Sequence, residues 1–443
     1  MLAKKGNVPS VKSVLRTESP LAFGAVLFVA VVTLVVGVWG RVWSLGFPPK
    51  KMWDEIYFPV MANKYLNGVE FFDLHPPLGK FIIASSIWLF GNTPLAWRLT
   101  PAIFGIGLIA LAGAVGWYLF KERVAVPLLV VLFAGETILI VHSRTGVMDI
   151  FLVFFVMATF LVALWARGPR HALLAAVLLG LAISVKWAAF PVAIPAGYVL
   201  WRKGLLKPFA ASLWVSVVIY FALVYVERLI IITPNPVEAW VDVWGWHLEA
   251  ADKINAAIPH LWGSPWWSWP IMLRPIRYEY LIDPDGGFRV LLAIGNPLVW
   301  WSSTLAVLAG LFELARRAIV RTLDLDDPLV PIILGYVVLL LPWVPGTRIP
   351  YIYNYLPMYA FALLALTYWL VRIWRAPRVG PWIVAVFAAL ALAVTLYYLP
   401  LASTLTIEQD DLMRRILFDS WFYQQSPVPG SGCTPPNPDE RCF

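Results

Sequence analysis

Residues 21–43, LAFGAVLFVAVVTLVVGVWGRVW, form an apolar run that is long enough to cross a bilayer as one helix. A membrane-spanning helix needs about 20 predominantly apolar residues. Comparable runs recur along the 443-residue chain, in which 60% of the residues are hydrophobic and only 14% are charged. Soluble domains carry about 25% charged residues. The sequence therefore predicts an all-α polytopic membrane protein.

The apolar runs predict about eleven transmembrane helices. The predicted spans are 21–43, 97–120, 124–142, 146–166, 172–186, 188–201, 208–232, 297–316, 329–345, 350–371 and 379–400. Residues 81–90, FIIASSIWLF, are too short to cross and are predicted to lie along the membrane surface. The basic N-terminus lacks a small-residue cleavage site, so the first run reads as a retained span.

Basic residues predict the orientation, because cytoplasmic loops carry an excess of Lys and Arg. With the N-terminus inside, Lys4, Lys5, Lys12 and Arg16 are cytoplasmic, together with the basic loops at 121–123, 167–170, 201–207, 315–321 and 372–378. The C-terminus then lies outside. The net charge of +8 is spread over these loops rather than gathered in one patch, which argues against a nucleic-acid partner.

This threading divides the chain into four parts. Residues 1–232 form an N-terminal transmembrane module with an outer loop at 44–96, and residues 233–296 form a second outer loop. Residues 297–401 are C-terminal helices, and 402–443 an outer tail. Cys433 and Cys442 both lie in that tail, where a disulfide is plausible if the compartment is oxidising. In this threading the two loops, the turn near Arg348 and the tail all lie on the outer side of the membrane.

Asp54 and Glu55 are adjacent carboxylates in MWDEIYF, just after the first span. One interpretation is a solvated acid pair, or partners for Lys51 and Lys80. The other is a carboxylate base at a water–lipid boundary, where a low dielectric tunes its pKa. FFDLHPPLGK follows, and its two prolines stiffen the backbone, which suits a shaped site.

Charged residues at the predicted ends of further spans are also candidates, because charge in a membrane usually faces a cavity or another charge. Arg144 and Asp149 could pair with each other, or Arg144 could face an anionic ligand. Lys186 could extend its ammonium to the interface, or meet a lipid phosphate beside Trp187.

Two aromatic segments complete the candidate residues. Residues 259–280 combine four tryptophans with Arg274 and Arg277, which suits either an interfacial anchor or a site for sugars and anionic headgroups. PWVPGTRIPYIYNYLPMYAF, 342–361, places Arg348 in an outer turn, where orientation does not explain a positive charge. A phosphate is one partner for it, and Asp54 is another.

The sequence contains no GxxxxGK[ST] nucleotide loop and no zinc-ligand spacing. A divalent metal is not indicated, because Asp54 and Glu55 alone would bind it weakly. The expected donor is therefore a lipid with an anionic headgroup, arriving through the membrane.

The order of these motifs resembles the protein O-mannosyltransferase family, which has the C-type membrane glycosyltransferase fold and uses polyprenyl-phosphate-mannose. The resemblance covers almost the whole chain, in family order. It rests on DE at 54–55, FFDLHPPLGK at 71–80, AWRLTPAIFG at 96–105, HSRTGVMDIFLVFF at 142–155, GLAISVKW at 180–187, SPWWSWPIMLRPIRYEY at 264–280, IGNPLVWW at 294–301 and YIYNYLP at 351–357. HSRTGVMD departs from the commoner SRIALLD, and YIYNYLP lacks a histidine pair.

The resemblance implies an inverting transfer with Asp54 as the base and Glu55 binding or orienting the acceptor. Arg98 matches a family arginine near the same loop. The remaining candidate substrate-binding residues are His75, Lys80, Arg144, Asp149, Lys186, Arg274, Arg348, Tyr353 and Asn354. The outer loop is too short for the β-trefoil module of eukaryotic members, which indicates a bacterial protein of the plasma membrane with an extracytoplasmic site.

The expected function is transfer of mannose from polyprenyl-phosphate-mannose to Ser or Thr hydroxyls of secreted or membrane proteins, with the Sec translocon as a candidate partner. One alternative is transfer of a lipid-linked sugar to a lipid or polysaccharide, as in the transferases that modify lipid A with aminoarabinose. A second is a transporter or flippase of lipid-linked sugars.

Overall fold

The computed structural model describes residues 19–254, 262–345 and 350–422. Helices dominate these ranges. They are α1 Pro20–Val42, α2 Phe58–Leu66, α3 Leu78–Phe90, α4 Pro94–Phe120, α5 Ala125–Ala134, α6 Thr137–Ser143, α7 Asp149–Trp165, α8 Pro169–Val185, α9 Ala193–Arg202, α10 Leu206–Ile231, α11 Pro236–Ile254, α12 Pro297–Ile319, α13 Leu329–Leu340, α14 Leu356–Trp374, α15 Gly380–Ser403 and α16 Gln409–Arg414.

A multi-pass membrane architecture is confirmed. Within the described residues, six helices are long and apolar enough to cross a bilayer, namely α1, α4, α10, α12, α14 with its preceding turn, and α15. The pair α5 and α6 would make a seventh. Helices α3, α7, α8 and α13 are apolar but shorter. The total of eleven spans, like the orientation of the termini, therefore stays a prediction.

The predicted span 124–142 is wrong as one straight helix. It is broken at Gly135 and Glu136 into α5 and α6, which meet at 62°. A break leaves carbonyls without helical partners, and the Arg41 guanidinium of α1 donates to the last two carbonyls of α5 at 3.0 Å each. Glu136 accepts from the backbone N–H of Asn296 at 2.7 Å and the Tyr359 hydroxyl at 2.8 Å. These contacts stabilise the bend.

The all-α prediction is wrong for residues 276–293 and 406–407. Strands β1 Ile276–Ile282, β2 Phe288–Ala293 and β3 Thr406–Ile407 form an antiparallel sheet in the order β1-β2-β3. In β1, Ile276 and Tyr278 are buried on one side, which is the alternation of a half-buried strand. Within the described residues of 233–296, α11 precedes this sheet in the chain.

Residues 81–90 belong to α3, which begins earlier, at Leu78. Ile83, Ala84 and Ile87 are buried, and the Ser86 hydroxyl donates to the Ala96 carbonyl of α4 at 2.6 Å. Helix α3 therefore packs on the protein along one side. Its location along the membrane surface stays a prediction. Helices α7 and α14 are buried along most of their length and form the centre of the fold.

Candidate active site

The turn Trp53–Ile56 carries the acid pair. It is a single turn of 3₁₀-helix between α1 and α2, and it directs Asp54 and Glu55 into different surroundings. The backbone N–H of Met52 donates to Glu55 Oε2 at 2.9 Å, so Glu55 also closes the start of the turn.

Glu55 is fully buried and paired with Arg98. Arg98 Nε and Nη2 donate to its two carboxylate oxygens at 2.8 Å each, and the N–H of Gly146 donates at 2.7 Å. Arg98 also donates to the carbonyls of Leu45, Pro48 and Lys50. Both residues are saturated with internal bonds. The expectation that Glu55 and Arg98 contact a substrate is not supported, and they hold residues 45–55 against α4.

Asp54 is half-buried and has a different set of neighbours. Its carboxylate accepts a hydrogen bond from the Tyr353 hydroxyl, and the charges of Asp149 and Lys186 act on it. Burial and the negative charge of Asp149 raise the pKa of Asp54 to about 7, against the smaller opposing effects of Lys186 and Tyr353. A carboxyl group with this pKa can accept a proton near neutral pH.

Asp149 and Lys186 form an ion pair beside Asp54. Lys186 Nζ lies 2.7 Å from Asp149 Oδ1 and 5.2 Å from the centre of the Tyr353 ring. Lys186 is only 6% exposed, so it does not extend its ammonium to water. An ammonium has three N–H donors, and Asp149 uses one of them.

The predicted pairing of Arg144 with Asp149 is wrong. Arg144 is buried, and its guanidinium donates to the carbonyls of Gly40 at 2.6 Å and Trp43 at 2.9 Å. These are the last carbonyls of α1, which need partners. Arg144 thus ties α1 to α6, and this placement does not favour contact with an anionic ligand.

Aromatic side chains form a cluster around Asp54, called the aromatic cluster below. Trp53 stacks on Tyr278 of β1, with ring centres 5.6 Å apart and planes at 5°. Tyr351 stacks on Tyr353 at 5.2 Å and 16°. Such flat rings suit the apolar faces of a sugar.

His142 was missed by the sequence reasoning. It is fully buried at the end of α6, with Nε2 3.3 Å from the Tyr278 hydroxyl and Nδ1 4.0 Å from Asp149. Tyr278 was also missed as a site residue. The motifs HSR at 142–144 and RPIRYEY at 274–280 contain His142 and Tyr278, and could have identified both residues.

Lys80 lies in a separate buried network and not beside Asp54. Its ammonium contacts Asp73 Oδ2 at 2.7 Å, the His75 carbonyl at 2.8 Å and Glu227 at 3.5 Å. Glu227 also accepts from the Tyr65 hydroxyl. The expectation that Lys80 binds substrate is therefore not supported. The His75 ring is half-buried and 6.0 Å from the Phe58 ring.

The other candidates are placed as follows. Arg274 is half-buried and donates to the Gly263 carbonyl at 3.3 Å. Asn354 is half-buried in the turn that carries Tyr353, with its N–H bonded to the Tyr351 carbonyl. Arg348, Cys433 and Cys442 lie outside the described residues. No cluster of three or more His, Cys, Asp or Glu suited to a metal occurs in the described part of the chain.

Comparison with known proteins supplies the decisive observation. Residues 31–241 match the family model of dolichyl-phosphate-mannose-protein mannosyltransferase, and residues 239–421 match the model of the C-terminal four-transmembrane region of protein-O-mannosyltransferase. The chain belongs to the protein O-mannosyltransferase family. It is thus a membrane-embedded mannosyltransferase, and the family predicted from the motifs is confirmed.

Individual relatives agree with this assignment. The chain is 25% identical to a polyprenol-phosphate-mannose–protein mannosyltransferase of Corynebacterium glutamicum, over 70% of this chain and 72% of that protein. It is 26% identical to the protein of the same name in Mycobacterium tuberculosis, over 92% of each. The protein O-mannosyltransferase Pmt1-Pmt2 complex of S. cerevisiae, solved with its sugar donor, includes a chain with the same fold. The two chains superpose with a TM-score of 0.74 and are 16% identical, and the match covers 94% of this chain and 95% of that one.

Proposed function

We propose that this mannosyltransferase moves mannose from a polyprenyl-phosphate-mannose lipid to Ser or Thr hydroxyls of proteins, with inversion at the sugar carbon. The observation that carries the proposal is that Asp54, with a pKa of about 7, lies near the Lys186–Asp149 pair and the aromatic cluster. The names of the bacterial relatives supply the donor and the class of acceptor.

Asp54 is the proposed general base. It takes the proton from the Ser or Thr hydroxyl as the oxygen attacks C1 of mannose, on the face opposite the phosphate. The new C1–O bond forms while the bond from C1 to the phosphate oxygen breaks, and the lipid phosphate leaves as an anion. Orientation of the two reactants supplies much of the rate, and the base supplies a further 10²–10⁴-fold, approximately.

Lys186 is the proposed cation for the departing phosphate. Its ammonium already bonds to Asp149 and keeps N–H donors for a second anion. A fixed positive charge stabilises the negative charge that develops on the leaving group. Arg348, which precedes Tyr353 in the sequence, is a second candidate for this role.

The tyrosine and tryptophan rings are proposed to hold the mannosyl group. Tyr353 links the two halves of the site, because its hydroxyl bonds to Asp54 and its ring lies under Lys186. Trp53 and Tyr278 stack on each other beside Asp54, and Asn354 lies in the same turn as Tyr353.

The site is proposed to face the extracytoplasmic side of the plasma membrane, with the N-terminus inside and the C-terminus outside. The basic loops at 121–123, 167–170, 201–207, 315–321 and 372–378 support this orientation. Acceptors would then be proteins leaving the cell, and the Sec translocon is a plausible neighbour. The module 1–232 with its catalytic loop, the outer loop 233–296, the helices 297–401 and the tail 402–443 are the proposed divisions.

The direct test is transfer by the purified protein in liposomes that contain polyprenyl-phosphate-mannose and a Ser/Thr peptide. The expected product is the peptide with one added hexose on a hydroxyl, and its sugar linkage has the configuration opposite to that of the donor. A parallel test compares secreted proteins from cells with and without the gene by mass spectrometry.

Three results would contradict the proposal. Transfer of the sugar only to added lipid or polysaccharide would assign the first alternative. Movement of the lipid-linked sugar across the bilayer without any glycosylated product would assign a flippase. Retention of configuration would remove the single-step attack.

A further inference from the structure

Helix α11, Pro236–Ile254, has three sides with different exposure. Residues three or four apart share one side of a helix. The buried side consists of Ala239, Val243, Trp246 and Ala250. The second side is exposed and apolar, with exposed fractions of 46% to 73%, and consists of Val237, Trp240, Val241, Trp244 and Leu248. The third side is exposed and charged, and includes Glu238, Glu249 and Lys253.

The buried side of α11 packs antiparallel along the end of α10. Arg228 of α10 lies 3.4 Å from Asp242, and Tyr220, two turns earlier in α10, lies 2.8 Å from His247. Helix α10 has 26 residues, more than the roughly 20 that cross the hydrocarbon core. Helix α11 therefore lies beside the last turns of a span, at the depth of the lipid headgroups and upper chains.

The apolar side of α11 continues the lipid-facing surface of α10. Trp214, Val217 and Val218 of α10 are 64%, 53% and 52% exposed, as expected for a span whose side chains meet lipid. Phe221, the next residue on that side, has its ring 6.4 Å from Trp240 and 5.4 Å from Trp244. The rings of Tyr225 and His247 also contact this surface, at 5.9 Å from Trp240 and 5.4 Å from Phe221 respectively.

From this arrangement we infer that the apolar side of α11 contacts lipid beside α10, on the active-site side of the membrane. Its apolar side inserts among the lipids of that leaflet, and its charged side faces water. The partner is the lipid surface itself, because the apolar side borders a membrane span along one edge and charged residues along the other. Indole rings favour the depth of the headgroups, and a helix with one apolar and one charged side buries its apolar side at that boundary.

The lipid-bound helix supports the site through its buried side. Trp246 Nε1 donates to the carbonyl of Asp73 at 2.9 Å. His247 Nδ1 donates to the Val243 carbonyl at 2.6 Å, which leaves Nε2 to accept from the Tyr220 hydroxyl. That hydroxyl accepts from Trp187 Nε1 at 2.9 Å, next to Lys186. Helix α11 thus clamps the loop before α3 and the turn that follows Lys186.

Spin labelling of the full-length protein in bilayers tests the location. In a background with Cys433→Ser and Cys442→Ser, single labels are placed through Val241→Cys and Leu248→Cys on the apolar side. Matched labels through Glu238→Cys and Glu249→Cys report on the charged side. The collision rates of each label with oxygen, which concentrates in lipid, and with a water-soluble nickel chelate give its depth.

We expect labels at 241 and 248 to collide at least about threefold more with oxygen relative to nickel than those at 238 and 249. Equal, water-like values on both sides would overturn the proposal. Apolar-side labels that are shielded from both reagents, with spin–spin coupling between copies, would also overturn it by showing that a second chain covers this side. All four positions are exposed, so the labels leave the packing of α11 intact, and unchanged thermal unfolding verifies this.

Discussion

Asp54 and Glu55 are neighbours in one helical turn, yet they belong to regions of opposite character. Glu55 is fully buried, and its oxygens accept bonds from Arg98, Met52 and Gly146. Asp54 is half-buried beside the aromatic cluster, and burial raises its pKa to about 7. The comparison teaches that saturation with internal hydrogen bonds separates a structural acid from the acid that we propose as the base.

The largest expected effect is on the Asp54 side of the comparison. Asp54→Asn removes the base without changing the size of the side chain, so kcat should fall by about 10²–10⁴-fold. Initial rates in the liposome assay measure this loss. Asp285→Asn, an exposed acid on the β1–β2 turn, is the matched control and should transfer at the wild-type rate. A rate for Asp54→Asn within about threefold of wild type would remove Asp54 from the base role.

The Glu55 side should respond through stability instead. Glu55→Gln leaves the buried Arg98 without its charge partner, which costs about 3–5 kcal/mol. The midpoint of thermal unfolding in detergent should therefore drop. Adding Arg98→Met should recover part of the loss, because the unpaired charge is then gone.

The control for Glu55→Gln is Glu70→Gln, an exposed change between α2 and α3. If Glu55→Gln keeps the wild-type midpoint and raises only the KM for the acceptor peptide, Glu55 contacts the acceptor and the comparison between the two acids fails.

A smaller effect on transfer is expected from changes to Lys186 and its partner Asp149. Lys186→Met combined with Asp149→Asn removes both charges of the pair, so neither is left buried alone. Loss of a charge-assisted bond of about 1.5–3 kcal/mol to the donor phosphate should raise the KM for the lipid donor by about 10- to 150-fold. Steady-state kinetics with varied donor measure it. Lys64→Met, a cation of α2, is the control, and an unchanged donor KM in the double variant would exclude Lys186 as the phosphate ligand.

The smallest effect is a shift in pH dependence. A general base must be ionised, so kcat/KM should rise with pH through the pKa of Asp54, about 7. The Tyr353 hydroxyl stabilises the ionised form, and Tyr353→Phe should move this acidic limb to higher pH by roughly 0.5–1 unit. Tyr57→Phe, an exposed change near the same turn, should leave it in place. A limb that moves to lower pH would show that Tyr353 does not donate to Asp54.

Much of the membrane architecture could be predicted from the sequence, because lipid selects long apolar runs by composition alone. The broken helix at Gly135 could not, since its apolar run is continuous and the bend depends on Arg41 and Glu136 meeting partners far along the chain. The small sheet was missed because its strands are short and one pairs with residues 406–407.

The candidate site, too, was predictable from the sequence only in part. The sequence by itself determined the family, and it supplied Asp54, Asp149 and Lys186 as candidate site residues, because their motifs recur in a known order. Only the tertiary structure decided which charges pair. It joined Glu55 to Arg98, Lys80 to Asp73 and Lys186 to Asp149, and it gave Arg144 to backbone carbonyls. Charge alone does not select a partner, since burial and distance in the folded chain set which pairings outweigh the cost of desolvation.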